Sequence, residues 1–223
     1  MKKLIVLIAM GIWITSFAQV EVDRDQLSLD ISKADAANNE QLKAFIWKKS
    51  SVVNVDGEEK LNMLNEISIG ADDEINITNL DSETSVQQKR GLRGKIQQST
   101  ADGNVEYMEG AINHALAYMY MTKGQLIDFF GKAEMKEKDG ILEATASDVH
   151  VKGDNLTVKV DMATKLFLYK KFSSTMGEDP INGEITYDKF NSGISHVSKS
   201  TLNLPAKNAV IKSNNRDYVQ KVQ

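Results

Sequence analysis

The pattern of apolar and polar positions changes along the chain, and its first third predicts a helix followed by a hairpin. Residues 25–44 carry apolar side chains at mixed helical spacing among Asp, Ser, Asn and Lys, which favours a moderately amphipathic helix. Residues 45–55 are rich in β-branched and aromatic types and predict a strand. Asp56-Gly57 then supplies a turn that accepts positive φ, and alternating apolar residues predict the returning strand. A third, shorter strand is predicted to begin at Ile75.

The middle of the chain predicts a polar loop and two helices. Ser, Gln, Lys and Arg dominate residues 81–103, which we interpret as a loop within the domain. Residues 105–119 then place large apolar side chains on one helical face. Thr122 to Gln125 has the form of a capping box at the start of a second, short helix. The apolar face of the longer helix comprises Val105, Met108, Ile112, Leu116 and Met119.

From about Gly140 onward the pattern predicts a run of strands. Turn signals recur every 8–12 residues or so without intervening helical periodicity, which is typical of an antiparallel meander. Polar and apolar residues alternate, so one face of the sheet is exposed and the helices can cover the other. We therefore predict a single α+β domain over residues 19–223, a half-barrel of curved antiparallel sheet. Two or three helices are expected to cover its concave face.

The first 18 residues have the pattern of a cleaved secretory signal. Lys2 and Lys3 precede an apolar run over residues 4–14, and Ser16 and Ala18 stand at the spacing that signal peptidase recognises. This run is shorter than the 17–25 or so apolar residues of a membrane anchor. We expect cleavage after Ala18 and a location in the periplasm of a Gram-negative bacterium, or outside the cell.

Composition and charge exclude several classes of function. The chain has 223 residues, 41% of them hydrophobic, and contains no Cys, so packing rather than disulfides must stabilise it. Its formal net charge of -4 gives no electrostatic footprint for nucleic acid. We expect a monomer that binds no nucleic acid and does not span a membrane.

Three short motifs, together with the order of the elements, resemble a known family. The motifs are Gly-Leu-Arg-Gly-Lys at residues 91–95, Asp-Met-Ala-Thr-Lys at residues 161–165 and Pro-Ala-Lys at residues 205–207. With Trp47 in the first strand, they resemble uncharacterised secreted bacterial proteins of the outer-membrane lipoprotein carrier (LolA-like) superfamily. This resemblance implies a half-barrel whose helices cover an apolar cavity for acyl chains. It also implies a lipid or an acylated protein as the partner.

Residue patterns typical of catalysis or metal binding do not stand out. His114, His150 and His196 lack the spacing of metal ligands, and there is no Cys to complete a zinc shell. Ser195 and His196 are neighbours on a predicted strand, so their side chains point to opposite faces. The basic residues 89–95 lack the spacing of a phosphate loop, which leaves a solvated loop or a contact with an acidic partner or headgroup. We predict no cofactor, no metal and no enzymatic activity.

The candidate site is apolar. Residues 118–121 are apolar on all sides of their helix, which is typical of a buried helix or of one that covers a ligand. The ordinary interpretation is a packed core, and the sharper hypothesis is a lipid-sized pocket between helices and sheet. The residues predicted to line that pocket are Trp47, Met63, Met119, Met121, Phe129 and Phe130.

Three functions remain open at this point. The first is a non-catalytic exported carrier, because a half-barrel cannot fill its own concavity with side chains as a closed small barrel does. The alternative is a structural or interaction module of the cell envelope with a fully packed core and a protein partner at a sheet edge. A hydrolase that acts through carboxylates is the weakest of the three.

Overall fold

The computed structural model describes residues 23–70, 74–80, 102–190 and 192–221. The predicted signal sequence, the basic residues 89–95 and most of the predicted polar loop lie outside these ranges. Residues 102 and 103, which the sequence assigns to the loop, instead begin a helix.

Within the described ranges the chain forms helices and strands in the predicted order. The helices are α1 (Arg24–Leu42), α2 (Asp102–Met119) and α3 (Lys123–Lys132). The first three strands are β1 (Phe45–Val55), β2 (Glu58–Ile69) and β3 (Ile75–Asn79). The later strands are β4 (Glu134–Lys138), β5 (Ile141–Ser147), β6 (Asn155–Asp161), β7 (Phe167–Met176), β8 (Asp179–Lys189), β9 (Ser195–Leu204) and β10 (Ala209–Gln220).

All of these strands belong to one open antiparallel sheet. Their order is β3-β2-β1-β10-β9-β8-β7-β6-β5-β4, so β3 and β4 are the two edges. Because β1 pairs with β10, the N-terminal strands attach to the end of the C-terminal meander. The sheet is curved and does not close, and the helices accompany it, which confirms the predicted fold class.

Local chemistry explains where several elements begin. Asp23 caps α1, since its side chain accepts hydrogen bonds from the first backbone N–H groups of the helix. The predicted capping box at α3 is present, with Thr122 and Gln125 each accepting from the other's backbone. Asp56 and Gly57 join β1 to β2 with φ values of 54° and 79°, as the hairpin turn requires.

Strand β4 is a difference from the sequence prediction, which began the run of strands at about Gly140. Its residues Glu-Met-Lys-Glu-Lys are mostly charged and show little apolar alternation, because an edge strand packs against one neighbour only. Its pairing with β5 depends on the turn at Asp139 and Gly140, whose φ values are 53° and 76°.

The helices lie over the inner face of the sheet and enclose the core. Helix α2 contacts β7, β8 and β9, whereas α3 contacts α1 and β5. The Arg24 guanidinium ties the start of α1 to the end of α3 by donating to the Ala133 carbonyl at 2.8 Å. None of the described helices is long and apolar enough to cross a bilayer.

Candidate functional site

The candidate site lies where β9 and β10 separate. The two strands pair as far as Lys199 and Asn214, and beyond that point β10 continues along β1. Side chains then replace the missing backbone pairing. The Asn215 amide and the Tyr218 hydroxyl both donate to the Val197 carbonyl, at 2.9 and 3.0 Å. The splayed strands thus leave room on the inner face of the sheet.

Helix α1 closes over this gap through Asn38, which is buried. The Asn38 Nδ2 atom donates to the Ser195 carbonyl at 2.8 Å, and the Ser195 backbone N–H donates to Asn38 Oδ1 at 2.6 Å. A side-chain carboxamide therefore takes the place of a peptide group on a neighbouring strand. This pair of bonds fixes the C-terminal half of α1 to the first residue of β9.

A cavity of about 60 Å³, which we call the inner pocket, lies between α1, the end of α2 and the splayed strands. Six of its lining residues carry rings: Trp47, Tyr120, Phe167, Tyr187, His196 and Tyr218. Its polar lining comprises Asp35, Asn38, Asn39, Ser195 and Asn215. The inner pocket is therefore an aromatic chamber with a few polar groups.

The rings of the inner pocket hold one another in place. Trp47 stacks on Tyr218 with 5.2 Å between ring centroids, and the His196 ring lies 4.3 Å from Tyr218. Phe190 packs behind both, at 4.9 Å from Tyr218 and 4.4 Å from His196. The pairing of β1 with β10 shifts register between Ile46 and Lys48, and such a bulge can redirect the intervening Trp47 side chain.

The Asp35 carboxylate lines the inner pocket, and the Lys170 ammonium lies near it. Burial raises the pKa of Asp35, and the nearby Lys170 ammonium and Asn39 amide oppose that effect. Lys170 is 2% exposed and donates to the Met119 carbonyl at the end of α2, at 2.9 Å. Burial lowers the pKa of Lys170 to about 8, against the effect of Asp35. Burial also lowers the pKa of His196, so its ring is neutral at pH 7.

A second space, which we call the outer groove, lies between α1 and the start of α3 and measures about 340 Å³. Asp35 and Asn39 line both spaces, so the groove and the inner pocket adjoin the same part of α1. The remaining lining residues are Ser32, Lys33, Ala36, Met121, Lys123 and Leu126.

The structure divides the six residues predicted to line a pocket into two sets. Trp47 and Met119 line the inner pocket, and Met121 lines the outer groove. The other three lie in the hydrophobic core with at most 1% exposure: Met63, Phe129 and Phe130.

The sequence prediction missed the residues that give the inner pocket its character. Asn215 and Tyr218 lie on β10 and Tyr187 lies on β8, and nothing in the local pattern of either strand marks these residues as neighbours across the sheet. The available signal was the unbroken run of polar residues at 212–217, which is not the alternating pattern of a strand packed on a core.

A buried polar cluster beneath α2 is separate from both spaces. The Tyr118 hydroxyl donates to Asp154 Oδ2 at 2.6 Å and lies 2.9 Å from Ser174 Oγ, which in turn lies 2.8 Å from His114 Nε2. Burial raises the pKa of Tyr118, and its bond to Asp154 adds to that effect. Neither the inner pocket nor the outer groove reaches the Ser174–His114 contact, so we interpret the cluster as a clamp between α2 and the sheet.

Metal binding has no visible basis among the described residues. They contain no group of three or more His, Asp or Glu side chains placed to hold an ion.

Comparisons with known proteins return matches among solved structures. No family model and no curated protein matches the sequence. A DUF1329 family protein from Desulfovibrio piger is similar over 90% of this chain and 94% of its own, with 11% identity and a TM-score of 0.47. A LolA superfamily protein from Nitrosomonas europaea is similar over 88% of this chain and 94% of its own, with 9% identity and a TM-score of 0.41. Both TM-scores are below 0.5, so these similarities carry no argument about function.

Proposed function

We propose that the protein is an exported, non-catalytic binding protein that holds a lipid or an acyl group between α1 and the inner face of the sheet. The observation that carries this proposal is a strip of apolar side chains that leads from the inner pocket to edge strand β3. Trp47 pairs with Ile67 across β1 and β2, and Ile67 pairs with Ile77 on β3. Ile69, which also lines the inner pocket, pairs with Ile75. Directly paired residues share one face of a sheet, so these side chains form a continuous strip.

The strip is buried at one end and open at the other. Ile67 is 5% exposed, whereas Ile75 and Ile77 on the edge strand are 42% and 45% exposed. An acyl chain could therefore lie along the strip without first displacing core residues. Covering the strip would remove apolar surface from water, which is the main favourable contribution to binding of this kind.

Helix α1 is the element that would move to admit a ligand. Its large apolar side chains in the core are Leu27 and Ile31, near its N-terminus, whereas its C-terminal half is held to the sheet by Asn38. The inner pocket alone has room for about two water molecules. The outer groove is near the lower limit of about 300 Å³ for small-molecule sites. Outward movement of the C-terminal half of α1 would join the two spaces.

A non-catalytic role fits the side chains of the inner pocket. Ser195 is 4% exposed, and the described residues offer no base bonded to its hydroxyl. The His196 ring packs between Phe190 and Tyr218 rather than against a serine. We therefore propose binding without covalent chemistry.

Native mass spectrometry of protein released from the periplasm tests this proposal. We expect adducts of acyl-chain mass on the wild type, and fewer on Ile77→Glu, which places a charge on the strip at an exposed position. Thr78→Glu is the matched control, because Thr78 is exposed on the same strand and points to the opposite face. A bare protein mass, with no thermal shift on adding lipids, would refute the proposal.

The alternative function, an envelope module that binds a protein partner at a sheet edge, is favoured by one observation. Edge strand β3 carries no charge and exposes two isoleucines, whereas edge strand β4 carries alternating Lys and Glu that oppose pairing with another chain. A partner strand could add to β3 by backbone pairing. This function would be favoured over lipid binding if the protein carried no lipid and Ile77→Glu abolished capture of an envelope protein.

A further inference from the structure

Three residues that line the inner pocket each carry a buried polar atom without a hydrogen-bond partner. Among the described residues, the indole Nε1 of Trp47, the Oγ of Ser195 and the Oδ1 of Asn215 have no partner and are closed off from water. All three residues line the inner pocket. Buried polar groups in native proteins are nearly always bonded, so three such atoms around one small cavity need a physical explanation.

The donor and acceptor character of these atoms restricts the group that could satisfy them. The Trp47 indole N–H can only donate. The Asn215 Oδ1 atom can only accept, and its assignment is fixed because the Asn215 Nδ2 atom already donates to the Val197 carbonyl. The Ser195 hydroxyl can do either. A complementary group must therefore accept one hydrogen bond and donate another, as a hydroxyl or an amide does.

Charged groups fit the inner pocket poorly. A carboxylate would face the Asp35 carboxylate and the Asn215 oxygen, and it has no proton to donate. The Lys170 ammonium already supplies a positive charge near Asp35 and lies 4.1 Å from the centroid of the lining ring Phe167, so it would repel a second cation. An ester is uncharged but only accepts, so it would leave the Asn215 oxygen unpaired.

We propose that the inner pocket is a recognition site for an uncharged head group that both donates and accepts hydrogen bonds, a hydroxyl or an amide at the end of an apolar chain. The inference rests on the proposed function, because the acyl chain of the ligand would occupy the outer groove and the strip. Entry of the head group as α1 moves would pair atoms that the closed arrangement leaves unpaired. The protein would thus bind the head group before α1 covers the acyl chain.

Fluorescence of Trp47 gives a direct measurement. The chain contains two Trp residues, so in Trp13→Phe the remaining indole is the one in the inner pocket. Trp13→Phe protein released from the periplasm is titrated with four probes that share a twelve-carbon chain: dodecanamide, dodecanol, methyl dodecanoate and dodecanoate. We expect the amide and the alcohol to bind at least about tenfold more tightly than the ester and the carboxylate, since one unpaired buried acceptor separates the two pairs.

Variants assign the selectivity to the pocket. Ser195→Ala removes a hydroxyl that can donate to any of the four head groups, so it should weaken binding of all four probes without unfolding the protein. Asn215→Leu removes the acceptor that an ester leaves unpaired, so it should bring the affinities for amide and ester to about equal values. Asn214→Leu is the matched control, because Asn214 is the exposed neighbour on the same strand, and it should keep the full preference.

The outcomes separate this inference from the proposed function. If all four probes bind with similar affinity, or bind without changing Trp47 fluorescence, the recognition site is refuted while binding of chains stands. If no probe binds and native protein carries no adduct, the proposed function itself is refuted. A preference that survives Asn215→Leu would also overturn the inference.

Discussion

Asn38→Ala is the perturbation that bears most directly on how α1 covers the site. The substitution removes two buried hydrogen bonds, of 2.8 and 2.6 Å, from the backbone of Ser195. Strand β10 has already left β9 at this point, so the described sheet offers no replacement partner for the Ser195 N–H and carbonyl. An unsatisfied buried group costs about 1–3 kcal/mol, so we expect a loss of roughly 2–4 kcal/mol in the free energy of unfolding.

Urea unfolding measures this loss as a lower midpoint with an unchanged slope, because the surface exposed on unfolding stays nearly the same. Gln41→Ala is the control. Gln41 is exposed one turn further along α1, and its loss should cost less than about 0.5 kcal/mol. In Trp13→Phe protein, Asn38→Ala should also shift Trp47 emission to longer wavelength as water enters the inner pocket. A stability within about 0.5 kcal/mol of the parent, with unchanged emission, would show that Asn38 does not hold α1 on the sheet.

Two further predictions concern the sheet and its buried lysine. Gly183→Ala should lower the free energy of unfolding in urea by about 1–3 kcal/mol, because a Cβ there would overlap the Phe172 ring. Gly131→Ala in α3 is the control: its Cβ meets open space, so the free energy of unfolding should rise by about 0.5–1 kcal/mol. Equal effects of the two substitutions would contradict this packing. Stability should rise with pH from about 8 to about 9.5, below the range in which tyrosines titrate, because Lys170 releases its proton near pH 8 when folded and near 10.5 when unfolded. Lys170→Met should reduce this rise in pH-dependent melting to the part that buried Lys49 contributes, because burial lowers the pKa of Lys49 as well. Exposed Lys171→Met should keep the full rise, and an equal slope in Lys170→Met would refute the assignment.

The hairpin at Asp56 and Gly57 and the capping box of α3 show what local sequence predicts well. Both depend on residues within four positions of one another, so their chemistry is readable without the fold. Strand β4 shows the opposite case. Its charged residues carry little strand pattern, and only pairing with β5 makes it a strand.

The candidate site was only partly predictable for a related reason. Trp47 and Met119 were expected at a pocket because both are large and apolar near a predicted helix–sheet contact, and both line it. Phe129 and Phe130 have the same pattern but lie in the core. Apolar character alone does not distinguish a pocket wall from a core, since both are removed from water.

By itself, the sequence determined the order of elements, the antiparallel class of the sheet and the turns and caps that bound them, because these follow from contacts between close neighbours along the chain. Tertiary structure decided that β1 pairs with β10, as in the contact between Ser51 and Ser213 hydroxyls at 2.9 Å. It also decided that β9 and β10 part at Asn214, and that Asn38 fills the gap. These contacts join residues more than a hundred positions apart, and they form only when the whole sheet buries its inner face.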